Sequence, residues 1–333
     1  MNKKICINNL TDKEILNTRV KDLYLPNSFP NKDVLKVLSA LLKDKNIKWR
    51  PNYWPSNEWF SPDGIGGFAI PFTLYHPRLI RLEKKIVGFC EGESKKEFLK
   101  LICHETGHAI DNAYRLRLLK KRQKIFGLSS SDYPTSYKPN PNTDEYVSYL
   151  SDYYAQAHPD EDWAETFAVW LSQPNWKSKY QNLNAILKLE YLDSVMAFVS
   201  EKEDFKIATN TVSHSKHETR TVEEVLINKR KSLKLNHPNF YERLIADNFE
   251  KSSGVIKAYS FLKNNKKDIL TPLKLYSKEA WSIERSFDQI LKECKEKKYY
   301  LKHTPTETKE IISTTILKNS KQFTRKAQSR IYL

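Results

Sequence analysis

Two histidines and a glutamate stand together in His104-Glu105-Thr106-Gly107-His108, an H-E-x-x-H sequence. On an α-helix, residues four apart lie on one face, so His104 and His108 can present ring nitrogens to a single metal ion. Glu105 comes next to His104, where its carboxylate can accept a proton from a water molecule that the metal activates. The motif therefore predicts a hydrolytic site with one Zn²⁺ per chain.

A second acidic segment, EDWAETFAVWL at positions 161–171, offers the third protein ligand that such a zinc site needs. Glu161 and Glu165 are four residues apart and share a helix face. One of them can bind the metal, while the other accepts the second ring N–H of a ligating histidine. The residue types leave open which glutamate takes which role. The acidic start of the segment also suits the N-terminal dipole of a helix.

Two helices must position these groups. Ser94 and Glu97 form an S-x-x-E capping box before the apolar run FLKLI, which predicts a helix from Ser94 to about Leu119 that carries the first motif. His158-Pro159-Asp160 begins a second helix, predicted to reach Leu171. Residues 146–157 between them are also predicted to be helical.

The chain before the motif contains further elements. Apolar spacing predicts an amphipathic helix over Val34–Asp44. Tryptophans, prolines and glycines make residues 49–68 a turn-rich, irregular segment. The run from Gly66 to Leu82 is strand-like, and Pro71 and Pro77 favour an edge position for it.

Composition and charge limit the classes of protein. The 333 residues are 39% hydrophobic and 12% aromatic, enough for a packed core. The net charge is +16, and residues 201–333 carry 28 Lys and Arg against 17 Asp and Glu. Such an excess fits either nucleic-acid binding through this region or an ordinary solvated surface. We expect no membrane partner, because no window of about 18 apolar residues occurs.

Four scattered cysteines without C-x-x-C spacing do not form a disulfide framework, and the first residues contain no signal peptide. These features favour a cytoplasmic protein. The composition shifts divide the chain into an N-terminal region (1–60), a catalytic region (61–200) and a basic helical C-terminal region (201–333).

Three blocks in order resemble a known family: GIGGFAIPFTLYHPRLIRL, HETGHAID and SDYYAQAHPDEDWAETFAVWL. They are similar to a bacterial family of zinc-binding metallopeptidases over about residues 60–175. The pattern also resembles gluzincins in general and the catalytic domain of the anthrax-lethal-factor type. The resemblance implies an α+β fold with a mainly helical, zincin-like core and a small sheet, followed here by the helical C-terminal region.

The resemblance also implies site residues. His104, His108 and Glu161 would bind zinc, Glu105 would be the general base, and Glu165 would hold His104; the reverse assignment of the two α-helical glutamates competes with it. Tyr154 matches a tyrosine that stabilises the oxyanion, although an ordinary core aromatic fits equally well. Phe68–Leu74 would be either a substrate-binding strand or an ordinary edge strand. Asp111, which the gluzincin pattern does not require, would orient a ligand or balance local charge.

Three functions follow from these observations. The leading one is a cytoplasmic metallopeptidase that hydrolyses peptide bonds in a peptide or protein substrate. A nucleic-acid-associated protein is the alternative, acting on DNA- or RNA-bound proteins or binding nucleic acid beside a vestigial zinc site. The likeness to lethal factor suggests a third, an injected effector.

Overall fold

The computed structural model describes residues 4–26, 29–134, 136–140, 142–151, 153–201, 211–236, 245–251, 254–276, 280–325 and 331–332. Its helices, numbered in chain order, are α1 (Asp12–Asn17), α2 (Val34–Asp44), α3 (Pro77–Val87), α4 (Lys95–Tyr114), α5 (Lys120–Phe126), α6 (Pro159–Ser172), α7 (Trp176–Tyr180), α8 (Ile186–Ser200), α9 (Val222–Asn236), α10 (Ala258–Asn264), α11 (Lys266–Tyr276), α12 (Ala280–Glu296) and α13 (Pro305–Arg325). The strands are β1 (Asn52–Ser56), β2 (Gly67–Pro71), β3 (Ser136–Tyr137), β4 (Phe249–Glu250), β5 (Tyr300–Leu301) and β6 (Ile331–Tyr332). The predicted α+β fold, mainly helical with little sheet, is confirmed.

The chain forms two compact units, Met1–Ser232 and Leu233–Tyr332. In the second unit, β4 pairs antiparallel with β5, and a core that includes Phe287, Ile290 and Ile312 lies among the helices. The two compact units do not test the predicted division into regions 1–60, 61–200 and 201–333, which stays a prediction. None of the described helices is both long and apolar enough to cross a lipid bilayer.

Helices α4 and α6 lie in the main core of the first unit. Phe98 and Ile102 of α4 and Trp163 and Phe167 of α6 are all fully buried. Ser94 caps α4 by accepting a hydrogen bond from the Glu97 amide, as predicted. The helix ends at Tyr114 rather than at Leu119, because Arg115 adopts a left-handed conformation with φ +53°.

Helix α6 begins at Pro159 and is capped by His158, whose ring accepts a hydrogen bond from the Asp160 amide. This start agrees with the prediction, and α6 ends at Ser172, one residue beyond the predicted end. The predicted helix over residues 146–157 was wrong: in the described parts, 146–151 and 153–157, the backbone is irregular apart from a short 3₁₀ turn at Tyr154–Gln156. Two of its amides, those of Tyr149 and Leu150, donate to a carboxylate instead of to helical carbonyls.

Strand β1 pairs in parallel with β2, from Asn52 opposite Gly67 to Ser56 opposite Pro71. The prediction of an irregular segment therefore missed β1. The strand-like prediction extended too far, because Pro77 begins α3 instead of continuing a strand. On its other edge β2 also bridges Phe60 through Ala69, so β2 is bordered on both sides at that point. All five β2 residues are buried, which contradicts the interpretation of this strand as an open substrate-binding edge.

Candidate metal centre

Helices α4 and α6 lie very close to each other at Gly107. A Cβ atom at this position would lie 2.9 Å from the Ala164 Cα and 3.0 Å from the Phe167 Cβ, closer than side chains normally pack. The Trp163 indole crosses the same interface and donates a hydrogen bond of 2.9 Å to the Gly107 carbonyl. A glycine inside the H-E-x-x-H motif therefore lets the two helices bring their polar side chains together.

Three side-chain atoms meet between the helices. The Nε2 atom of His104 lies 3.0 Å from the Oε2 atom of Glu161. The Nε2 atom of His108 lies 3.2 Å from that of His104 and 3.3 Å from the same Glu161 oxygen. His104 and Glu161 are 3% and 5% exposed, so the triangle is almost closed to bulk water. Within the described residues, this is the one group of His, Cys, Asp and Glu side chains close enough to hold a metal ion.

The spacing of this triangle fits a zinc ion. Ligand atoms about 2.0–2.1 Å from a tetrahedral Zn²⁺ lie about 3.3 Å from one another. The three edges measured here are 3.0, 3.2 and 3.3 Å. Three protein ligands leave a fourth position open, the arrangement that is typical of a catalytic zinc site. The donor set of two imidazoles and one carboxylate is also among those that zinc prefers in proteins.

Glu165 lies on the opposite side of the His104 ring. Its Oε1 atom is 3.0 Å from the Nδ1 atom of His104, and its Oε2 atom accepts hydrogen bonds from the Tyr149 and Leu150 amides at 3.2 and 2.9 Å. The carboxylate is 0% exposed. Glu165 thus anchors the ring at the nitrogen that points away from the triangle, whereas Glu161 is the glutamate inside it.

The charges in the cluster stabilise one another. Burial alone would lower the pKa of His104, but hydrogen bonds to Glu161 and Glu165 and their negative charges hold this pKa well above its usual value. Burial alone would raise the pKa of Glu161, but the neighbouring His108 and His104 rings hold it well below its usual value. The two imidazoles therefore favour the anionic form of Glu161.

Glu105 carries a buried oxygen that still needs a partner. Its side chain is 7% exposed, and its Oε2 atom has no hydrogen-bond partner within the described part of the chain. Burial raises the pKa of this carboxyl, as expected for a general base whose proton affinity must be close to that of its reaction partner. A buried carboxylate oxygen of this kind, on the same helix as His104 and His108, has the chemistry required to hold a water molecule.

Tyr154 stands beside the triangle, with its ring centroid 5.7 Å from that of His104. Burial, followed by the charges of Glu161 and Glu105, raises its pKa well above the usual value. The phenol therefore stays protonated and can act as a hydrogen-bond donor at the site.

Asp111 lies one turn beyond His108 but faces another partner. Its Oδ2 atom is 3.2 Å from the fully buried Arg122 guanidinium, which also binds Asp160 at 2.6 Å. Arg117 approaches the same Asp111 oxygen at 3.5 Å. Within the described residues, no hydrogen bond joins Asp111 to His104, His108 or Glu161, so its predicted role in orienting a ligand stays a prediction.

Sequence reasoning missed two residues at the site, Tyr133 and His158. The Tyr133 hydroxyl donates a hydrogen bond of 2.8 Å to the Oε1 atom of Glu161, and its ring stacks on His158 at 3.7 Å. The sequence signal was weak, since Tyr133 stands in a loop-like stretch 28 residues before Glu161. His158 was identified only as part of a helix start.

Residues 91–238 match the family model described as "Putative zinc-binding metallo-peptidase". The resemblance to such a family is confirmed, although over a segment that begins and ends later than predicted. The comparison with gluzincins and with the lethal-factor type stays a prediction, and the family description gives no support for nucleic-acid binding. Searches of curated proteins and of solved structures found no match. The matched segment, from 91 to 238, contains the whole histidine and glutamate cluster and is thus similar to the zinc-binding metallopeptidases that this family model describes.

Proposed function

We propose that this chain is a zinc-dependent metallopeptidase in which His104, His108 and Glu161 bind one Zn²⁺. The observation that carries the proposal is the triangle of two Nε2 atoms and one Oε2 atom with edges of 3.0–3.3 Å. Its spacing fits a tetrahedral ion, and the family match supports both the metal and the reaction class.

The bound ion would supply Lewis acidity, which lowers the pKa of a water molecule toward about 7 and polarises a peptide carbonyl. Every other requirement falls to side chains of this chain. Glu165 accepts the Nδ1–H of His104, so that the lone pair of Nε2 points into the triangle. The two backbone amides that donate to Glu165 fix this carboxylate in place.

Glu105 would act as the general base. Its buried Oε2 atom has no hydrogen-bond partner among the described residues, and burial raises the pKa of the carboxyl. It would take a proton from the attacking water and give it to the departing amine. A carboxyl with a raised pKa accepts a proton more readily than an exposed one, which favours the transfer from the attacking water.

Tyr154 would donate its hydroxyl hydrogen to the carbonyl oxygen as negative charge develops there. Its position beside the His104 ring supports this role, and its raised pKa keeps the proton on the phenol. The substrate would be a peptide or an unfolded segment of protein.

The proposal is tested with Glu105→Gln, which preserves the size of the side chain and removes its basicity. The zinc-loaded wild type and the variant are incubated with a peptide library, and new termini are detected by mass spectrometry. We expect cleavage by the wild type, a rate lower by roughly 10²–10⁴-fold in the variant, and unchanged zinc content.

Glu97→Gln is the matched control, since Glu97 lies on the same helix and is exposed. It should cleave like the wild type. No cleavage by the zinc-loaded wild type, or full activity in Glu105→Gln, would contradict the proposal.

A further inference from the structure

The two oxygens of Glu161 have different surroundings. Oε2 faces the Nε2 atoms of His104 and His108 at 3.0 and 3.3 Å. Oε1 points away from them and accepts the hydrogen bond from the Tyr133 hydroxyl at 2.8 Å. A carboxylate can bind a metal through one oxygen or through both, and a donor on one oxygen favours binding through the other.

Tyr133 is itself held in place by the start of α6. Its ring stacks on the His158 ring with centroids 3.7 Å apart and planes inclined by 17°. The Nδ1 atom of His158 accepts the Asp160 amide at 3.1 Å. Its Nε2 atom must then carry the proton, which it donates to the Ser131 carbonyl at 2.9 Å. His158 therefore links Tyr133 to the same helix turn that carries Glu161.

A further contact fixes the loop that carries Tyr133. The Ser129 hydroxyl donates to the Oδ1 atom of Asp160 at 2.6 Å, and the buried Arg122 guanidinium binds the same oxygen. Ser129, Ser131 and Tyr133 thus contact Asp160, His158 and Glu161 respectively, which are the N-cap and two first-turn residues of α6. The loop is tied to this turn at alternate positions, so the Tyr133 hydroxyl has a defined location relative to Glu161.

Burial distinguishes the two partners. The Tyr133 residue is 53% exposed, whereas Glu161 is 5% exposed. An exposed tyrosine that existed only for packing would not need its hydroxyl directed at a buried carboxylate. Replacement by phenylalanine removes only the hydroxyl oxygen and retains the ring, so a variant can isolate this one hydrogen bond.

We propose that Tyr133 is a positioning residue for the metal site: its hydroxyl holds Oε1 of Glu161, so that Glu161 binds the metal through Oε2 alone. This inference rests on the proposed zinc site. It assigns a role to a residue outside the two helices that carry the ligands and Glu105, and it gives the loop at 127–134 a part in metal affinity.

Tyr133→Phe tests the inference, because it retains the ring and the stack on His158. Zinc affinity is measured by competition with a chromophoric chelator. We expect the dissociation constant to rise by roughly 10–100-fold, the usual effect of losing a group that holds a metal ligand. Tyr24→Phe is the matched control, since Tyr24 is also 53% exposed, and it should bind zinc like the wild type.

A spectroscopic readout separates positioning from general structural damage. In Co²⁺-substituted protein, the visible absorption reports the coordination number. Tyr133→Phe should shift this spectrum toward a higher coordination number as Oε1 becomes free to bind, whereas Tyr24→Phe should not. Wild-type zinc affinity with an unchanged cobalt spectrum in Tyr133→Phe would overturn the inference and leave the metallopeptidase proposal intact. Weaker binding without a spectral change would also overturn it. Failure of the wild type to bind zinc would instead refute the proposed function.

Discussion

Gly107→Ala is the perturbation that links the packing of the helices to the metal site. The new methyl carbon would lie 2.9 Å from the Ala164 Cα, 3.0 Å from the Phe167 Cβ and 3.2 Å from the Ala164 carbonyl oxygen. Non-bonded carbon atoms in favourable contact are about 3.5–4.0 Å apart. Two of these three atoms belong to the backbone and the third is a Cβ atom, which does not move when a side chain rotates, so rotation cannot relieve the crowding. Helices α4 and α6 would have to separate by about 0.5–1 Å.

This separation acts directly on the site, because His104 and His108 lie on α4 and Glu161 lies on α6. A metal site tolerates deviations of about 0.2 Å in its ligand distances. The predicted shift exceeds this tolerance, so zinc affinity should fall on the order of tenfold or more. Crowding should also lower the free energy of unfolding by about 1–3 kcal/mol.

The sign of the stability change makes the test decisive. In a helix interior without crowding, alanine is more stable than glycine by about 1 kcal/mol. Crowding therefore predicts a net loss of stability, and helix propensity alone predicts a gain. Unfolding by denaturant gives the stability, and chelator competition gives the zinc affinity.

Ile110→Val is the control, because Ile110 is a fully buried residue of the same helix. It should lose about 0.5–1.5 kcal/mol of stability while keeping its zinc affinity. If Gly107→Ala were more stable than the wild type and bound zinc equally well, the close approach at Gly107 would not control the site.

Three further predictions concern the site and its surroundings. Tyr154→Phe should lower kcat by roughly 10²–10³-fold, because one donor to the oxyanion is lost, and zinc content by mass spectrometry should stay unchanged. Arg122→Met should lower the free energy of unfolding in denaturant by about 3–5 kcal/mol, because it leaves Asp111 and Asp160 buried without their shared cation. Between pH 6.5 and 4, His214→Asn should lose less stability than the wild type. Burial lowers the pKa of His214 from 6.5 to about 4, so the unfolded chain binds more protons in this interval and wild-type stability falls as the pH drops from 6.5 to 4.

Each of these predictions has a clear contrary result. If Tyr154→Phe kept the kcat of the wild type, Tyr154 would serve only in packing. A loss below about 1 kcal/mol in Arg122→Met would show that the buried ion pairs gain little over an apolar contact. Parallel stability curves for the wild type and His214→Asn between pH 4 and 6.5 would rule out a depressed pKa at His214.

Local patterns were sufficient to predict the two helices that carry the site. The bounds of α2 and the start of α6 agree with the sequence interpretation, and the i, i+4 spacing of His104 and His108 places both rings in one cluster. These features depend on residues within one or two helical turns of one another. A single sequence displays such relations directly.

Contacts between distant segments were not predictable. Tyr133 reaches Glu161 across 28 residues, and no spacing rule relates a loop tyrosine to a helical glutamate. Strand β1 was missed because it lies in a segment rich in proline, tryptophan and glycine, which resembles turns, and only the pairing with β2 makes it a strand. The segment at 146–157 was predicted to be helical because its composition permits a helix. In the structure, the amides of Tyr149 and Leu150 donate hydrogen bonds to Glu165, and these tertiary contacts outweigh the local helix propensity.

The choice between the two glutamates also needed three-dimensional information. Residue types and spacing allow either Glu161 or Glu165 to enter the zinc site. The ring of His104 separates them, since Glu161 contacts its Nε2 atom and Glu165 its Nδ1 atom. The geometry supports the assignment of Glu161 as the ligand.

Metal content of the purified protein tests the central claim most directly. The wild type is measured by inductively coupled plasma mass spectrometry beside His104→Ala, Glu161→Ala and Glu165→Ala. We predict close to one zinc per wild-type chain, lost in His104→Ala and Glu161→Ala and mostly retained in Glu165→Ala. Zinc that persists in Glu161→Ala but disappears in Glu165→Ala, or a wild type that holds no zinc after reconstitution, would contradict the assignment of His104, His108 and Glu161 as the metal ligands.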